Sequence, residues 1–98
     1  MSESTSWIVS GLRTPFVKAG AALREAPAYE LGRVAIAELL AREELDPGRL
    51  DEVLLGNCAG PSEAANVARV TALRAGIPEP VPAATVHRNC ASGMESVA

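Results

Sequence analysis

The residues with the best setting for covalent chemistry lie in Thr85-Val86-His87-Arg88-Asn89-Cys90-Ala91-Ser92-Gly93-Met94. The apolar residues before His87 have strand character, and the chain then turns at Asn89-Cys90 into a helix beginning near Ala91. A cysteine at such a turn faces unpaired backbone N–H groups and the positive end of a helix dipole, which stabilise a thiolate. Gly93 leaves open the space that a side chain would fill near the sulfur. Ser92 and Glu95 have the S-x-x-E spacing of a capping box, which would fix the helix start beside the nucleophile. Two readings of Cys90 follow from the residues alone, a reactive thiolate or a buried structural thiol.

The other candidates have plainer explanations. Cys58 follows Gly56-Asn57 in a loop with no helix-terminal or cationic partner, and is read as structural. His87, the one histidine, is three residues from Cys90. In an extended strand that odd spacing sends the two side chains to opposite faces, so a hydrogen-bonding role is expected ahead of tuning of Cys90. Arg13 sits in a turn and Arg69 in a packed helix beside Asn66, where structural pairing is expected rather than phosphate binding. Gly56 and Gly60 match neither GxGxxG nor a Walker pattern. Asp51 and Glu52 are adjacent and read as solvated. No set of residues has the spacing of a metal site.

Three strands and three helices would position these residues. Trp7-Ile8-Val9, between Ser6 and Ser10-Gly11, reads as a short buried strand entering the turn Arg13-Thr14-Pro15-Phe16. After a loop from Ala19 to Ala26, Pro27 stands where a first helical residue tolerates proline. Ala28, Tyr29, Gly32, Ala35, Ile36, Leu39 and Leu40 then share one face of an amphipathic helix. Glu38 precedes Arg42 by four residues, the favourable order for a helical ion pair. Asp46-Pro47-Gly48 ends that segment, and Val53-Leu54-Leu55 forms a second buried strand.

The next helix is expected to open at Pro61-Ser62, with Ser62 as N-cap, and to close at Gly76. Its small side (Ala64, Ala68, Thr71, Ala72, Ala75) suits a helix sandwiched between layers, with Asn66 and Arg69 as polar exceptions on the opposite side. Pro78, Pro80 and Pro82 stiffen the connector to a third strand, Ala83 to His87. The order β-α-β-α-β-α predicts an α/β structure with parallel strands joined by right-handed crossovers. The last helix reaches Ala98 after about two turns without a stop signal, so the chain reads as truncated.

Composition narrows the function. The 98 residues hold three aromatic side chains, so the core must be built from Ala, Val, Leu and Ile. A formal charge of −3 without a basic block argues against nucleic acid as a partner. Two cysteines without CxxC spacing read as reduced thiols. Met1 to Ser6 has no signal-peptide pattern, and no run approaches the roughly 18 apolar residues of a membrane span. A cytoplasmic protein is expected.

Four stretches, in order, resemble the thiolase family. Ile8-Val9-Ser10-Gly11-Leu12-Arg13-Thr14-Pro15-Phe16 looks like its opening strand and turn, and Asp51-Glu52-Val53-Leu54-Leu55-Gly56-Asn57 like its second strand. Asn66-Val67-Ala68-Arg69, continuing to Ala75-Gly76-Ile77-Pro78, looks like its second helix and exit. Cys90-Ala91-Ser92-Gly93 looks like its nucleophile segment. The resemblance spans Trp7 to Ala98 and implies a thiolase-like fold, with residues 1–98 an incomplete N-terminal domain.

It further implies a ping-pong acyltransferase of fatty-acid or related ketoacyl-CoA metabolism, acting on CoA and acyl-CoA as substrates. Cys90 is the expected acyl acceptor, with no permanently bound cofactor and a homo-oligomeric assembly. The family's activating histidine, second catalytic cysteine and CoA-binding loop come later in its chains than these residues. Many thiolases have asparagine at the position of His87. A ketoacyl-synthase-type condensing enzyme and a non-catalytic lipid-transfer or scaffold relative are the alternatives. The Arg-Thr-Pro-Phe turn and the Asn-Val-Ala-Arg helix favour thiolase over both.

Overall fold

The computed structural model describes residues 5–98. Met1 to Ser4, most of the polar opening in which no leader pattern was read, lie outside the described residues. Helix α1 spans Ala28–Arg42, strand β1 Val53–Gly56, helix α2 Val67–Arg74, strand β2 Ala83–Val86 and helix α3 Ser92–Val97. β1 and β2 pair in parallel, from Val53 opposite Ala83 to Gly56 opposite Val86. Parallel neighbours need a crossover, and α2 supplies it.

α1 begins one residue after Pro27, which sits at the N-cap with extended backbone rather than inside the helix. Glu30 in its first turn and Arg42 in its last complement the helix dipole. The expected Glu38–Arg42 ion pair forms at 2.9 Å. Beyond α1, Asp46 Oδ1 accepts the Gly48 N–H at 2.9 Å and opens a 3-10 turn over Pro47–Arg49.

α2 ends as its glycine predicts. Gly76 takes φ +87°, its N–H donates to Leu73 O, and Ile77 N–H donates to Ala72 O. These are the two bonds of a Schellman motif, and they fold Ile77 back onto Ala72. Ala72, Ile77 and Val81 are buried together, with Ile36, Leu40, Leu50, Val53 and Ala83 packed around them. The small side of α2 is buried at Ala68, Thr71 and Ala72, with Ala64 buried ahead of the helix, and α2 contacts α1 as well as both strands. The sandwiched position expected from its small side chains is therefore observed.

The start of α2 differs from the sequence expectation. The N-cap is Asn66, not Ser62, and Pro61 to Ala65 forms turns and bends. Asn66 is fixed from outside the helix, because its amide donates to Ala83 O (3.1 Å) and its Oδ1 accepts the Thr85 hydroxyl (2.6 Å). Thr85 Oγ1 in turn accepts the Ala68 N–H at 2.9 Å. Strand β2 thus caps α2, and helix formation starts where those partners stand. Asn66 and Arg69 face β2 and its connector rather than the side opposite the core.

Trp7-Ile8-Val9 is also corrected: the segment forms no strand, and its residues are 81%, 86% and 86% exposed. It borders a groove of about 710 Å³ shared with Ile36, Leu39, Leu40, Leu54 and Ile77, and Ser10 Oγ anchors it by donating to Glu43 Oε1 at 2.7 Å. An apolar run of three becomes a buried strand only when neighbouring strands and a covering layer enclose it. Among the described residues no layer covers Trp7 to Val9.

Candidate functional site

β2 ends at Val86 and α3 begins at Ser92, so five residues carry the chain from one to the other. Cys90 is in that turn, exposed and unpaired as a free thiol. The turn closes through Ala91 N–H to Arg88 O (2.9 Å) and Ser92 N–H to Asn89 O (3.2 Å). Asn89, directly before Cys90, adopts φ +48°, a left-handed conformation that asparagine tolerates better than most L residues. Nothing approaches within 4 Å of a Cβ placed on Gly93, so the space beside the turn is open as the sequence suggested.

The expected Ser92–Glu95 capping box is replaced by other bonds. Ala91 is the N-cap and has no side-chain cap. Ser92 lies inside the helix, where its Oγ accepts the Arg88 N–H (2.8 Å) and donates to Asn89 O (2.7 Å). Glu95 is drawn off to the Arg88 guanidinium, at 2.7 Å. Both residues still fix the helix start, through the turn rather than through the helix amides.

His87 stands beyond the strand, exposed, with Nδ1 accepting the Asn89 N–H at 3.3 Å. That is the hydrogen-bonding role expected of it. Arg69 donates to Val81 O (2.9 Å) and Glu79 O (3.0 Å), which engages its guanidinium in structure. Arg13 is exposed and donates to Thr14 O at 3.1 Å. Cys58 is exposed in a loop where Asn57 Oδ1 accepts the Ala59 N–H. Asp51 and Glu52 are exposed, as solvated residues should be. Among the described residues, no group of three or more His, Cys, Asp or Glu side chains could hold a metal ion.

Gly56 emerges as a positional residue that its sequence pattern left unassigned. A Cβ there would lie 2.2 Å from Ser92 O, 2.5 Å from Ser92 C and 2.7 Å from Gly93 N. The first turn of α3 therefore rests directly on the end of β1. The available signal was a glycine closing an apolar strand, which marks close approach of another backbone.

Residues 6–98 match the family model for the thiolase N-terminal domain. The chain belongs to the thiolase family. It is 38% identical over 90 residues to a probable acetyl-CoA acyltransferase of Staphylococcus aureus (strain NCTC 8325 / PS 47), covering 92% of this chain and 23% of that protein. A protein of the same description from Staphylococcus epidermidis (strain ATCC 12228 / FDA PCI 1200) is 37% identical over the same shares. The crystal structure of the Bacillus anthracis acetyl-CoA acetyltransferase superposes with a TM-score of 0.73 at 39% identity, over 78% of this chain and 19% of that one. The thiolase chain described here thus spans about a quarter or less of the length of these relatives. Its α/β architecture, with a parallel strand pair and the turn leading into α3, is the thiolase-like fold that the sequence implied.

Proposed function

We propose that residues 6–98 are the opening part of a thiolase N-terminal domain and that Cys90 is its acyl-accepting nucleophile. In this reading the Cys90 thiolate attacks the keto carbon of a 3-ketoacyl-CoA. The bond between that carbon and the one next to the thioester breaks, its electron pair takes up a proton, and acetyl-CoA leaves. The thiol of a second CoA then attacks the acyl-cysteine, releases the shortened acyl-CoA and returns the cysteine. The reverse sequence is a Claisen condensation. CoA and acyl-CoA are substrates here, in fatty-acid or related ketoacyl-CoA metabolism, in a cytoplasmic homo-oligomer.

The observation that carries the reading is the family match over residues 6–98 combined with an exposed Cys90 at a strand-to-helix turn. Cys58 lacks a comparable setting. The 98-residue chain alone is expected to have no turnover, since one nucleophile supplies little of the required transition-state stabilisation.

The test is to incubate full-length protein with a 3-ketoacyl-CoA, quench in acid, digest and weigh the peptides. The acyl mass is expected on the peptide containing Arg88-Asn89-Cys90 and absent in Cys90→Ala, while Cys58→Ala keeps most activity. Label on the Cys58 peptide, or full turnover in Cys90→Ala, would remove the basis of the mechanism.

A further inference from the structure

The geometry points to Ser92 as the residue that positions Cys90 for acyl transfer, an inference that rests on Cys90 being the acyl acceptor. Cys90 is exposed, yet Ser92, two residues on, is only 4% exposed. Its buried hydroxyl accepts the Arg88 N–H at 2.8 Å and donates to Asn89 O at 2.7 Å. Asn89 O belongs to the peptide group whose N–H is that of Cys90. Because that group is planar and trans, holding its oxygen also sets the direction of the Cys90 N–H and the path of the backbone into Cys90.

The turn needs such a hold. Asn89 sits at φ +48°, a left-handed conformation that asparagine can adopt but does not enforce, so bonds from Ser92 help select it. Ser92 is itself packed closely on β1, because its carbonyl occupies the space that a Gly56 side chain would fill. The β1 backbone beneath Ser92, and the two hydrogen bonds that its hydroxyl makes, one accepted and one donated, thus hold the segment that presents the sulfur. Ser92 touches no reacting atom in this scheme and acts through Cys90.

The experiment compares wild type with Ser92→Ala, Ser92→Thr and Cys90→Ala in the full-length protein. It reads hydrogen exchange at the Arg88 amide, the pH profile of Cys90 alkylation by iodoacetamide, and kcat and KM with a 3-ketoacyl-CoA. Ser92→Ala is expected to speed Arg88 exchange, displace the alkylation profile and lower kcat by about tenfold to a hundredfold, with KM within about threefold. Ser92→Thr, which keeps the hydroxyl, is expected to restore all three. If Ser92→Ala does not fold, Ser92→Cys, similar in shape but a weak hydrogen bonder, replaces it, with Arg88 exchange and kcat as the readouts and the same expectation for both. Wild-type exchange, alkylation and kcat in the hydroxyl-deleted variant overturn this inference alone. Turnover retained by Cys90→Ala overturns the acyl-acceptor reading, and this inference with it.

Discussion

Replacing Gly56 by alanine would build a methyl carbon 2.2 Å from Ser92 O, 2.5 Å from Ser92 C and 2.7 Å from Gly93 N. Carbon and oxygen normally stay about 3.3 Å or more apart even in the closest favourable C–H···O contacts. One backbone must therefore retreat by about 1 Å. All three obstructing atoms are main-chain atoms, so no side-chain rotation relieves the contact, and either β1 leaves its register with β2 or α3 lifts. Overpacking of this kind costs about 1–3 kcal/mol.

The second consequence is positional, since Ser92 ties down the turn that carries Cys90. A displacement of about 1 Å at a reacting group can cost on the order of a hundredfold in rate. The assay is a thermal melt and steady-state acyl transfer on full-length Gly56→Ala, with Gly93→Ala as the comparison. Gly93 has open space around it and a helical setting, where alanine is favoured over glycine by roughly 0.5–1 kcal/mol. Gly56→Ala should melt lower and turn over more slowly, whereas Gly93→Ala should melt no lower. A Gly56→Ala protein with wild-type melting and turnover would refute the view that α3 rests on this glycine.

Two further outcomes concern helix packing and pH. Thr71 is wholly buried and its Oγ1 has no hydrogen-bond partner among the described residues, so Thr71→Val is expected to raise stability by about 1–3 kcal/mol, the desolvation cost it removes; denaturant unfolding would show it, and a loss would reveal a partner for that hydroxyl. Glu30 accepts hydrogen bonds from Arg33, and these, with the guanidinium charge, hold its carboxyl below the ordinary range. Its contribution should be complete above the unfolded value of about 4.3 and vanish as pH falls through the lower folded value. The melting difference between wild type and Glu30→Gln is therefore expected to shrink on acidification, and a difference constant with pH would contradict the linkage.

The sequence by itself determined what neighbouring residues settle among themselves. The 3.6-residue spacing from Ala28 to Leu40 defined α1, and Glu38 and Arg42 met at the expected four-residue step. Gly76 ended α2 because a left-handed residue is needed there, and a glycine takes that conformation without strain. The run from Thr85 to Met94 was legible as a strand, a turn and a helix start, with Cys90 in the turn. Tertiary structure decided wherever a residue had several possible partners. Ser62 and Asn66 both suit an N-cap, and Asn66 prevailed because Ala83 O and the Thr85 hydroxyl stand beside it. Ser92 and Glu95 suit a capping box, but Arg88 engages both of them and Asn89 O accepts the hydrogen bond of the serine hydroxyl. Trp7 to Val9 has strand composition without becoming a strand, since a strand is made by its neighbours. Gly56 shows the same limit most directly: its missing side chain matters because of a helix that begins 36 residues later, and chain folding alone brings the two backbones into contact.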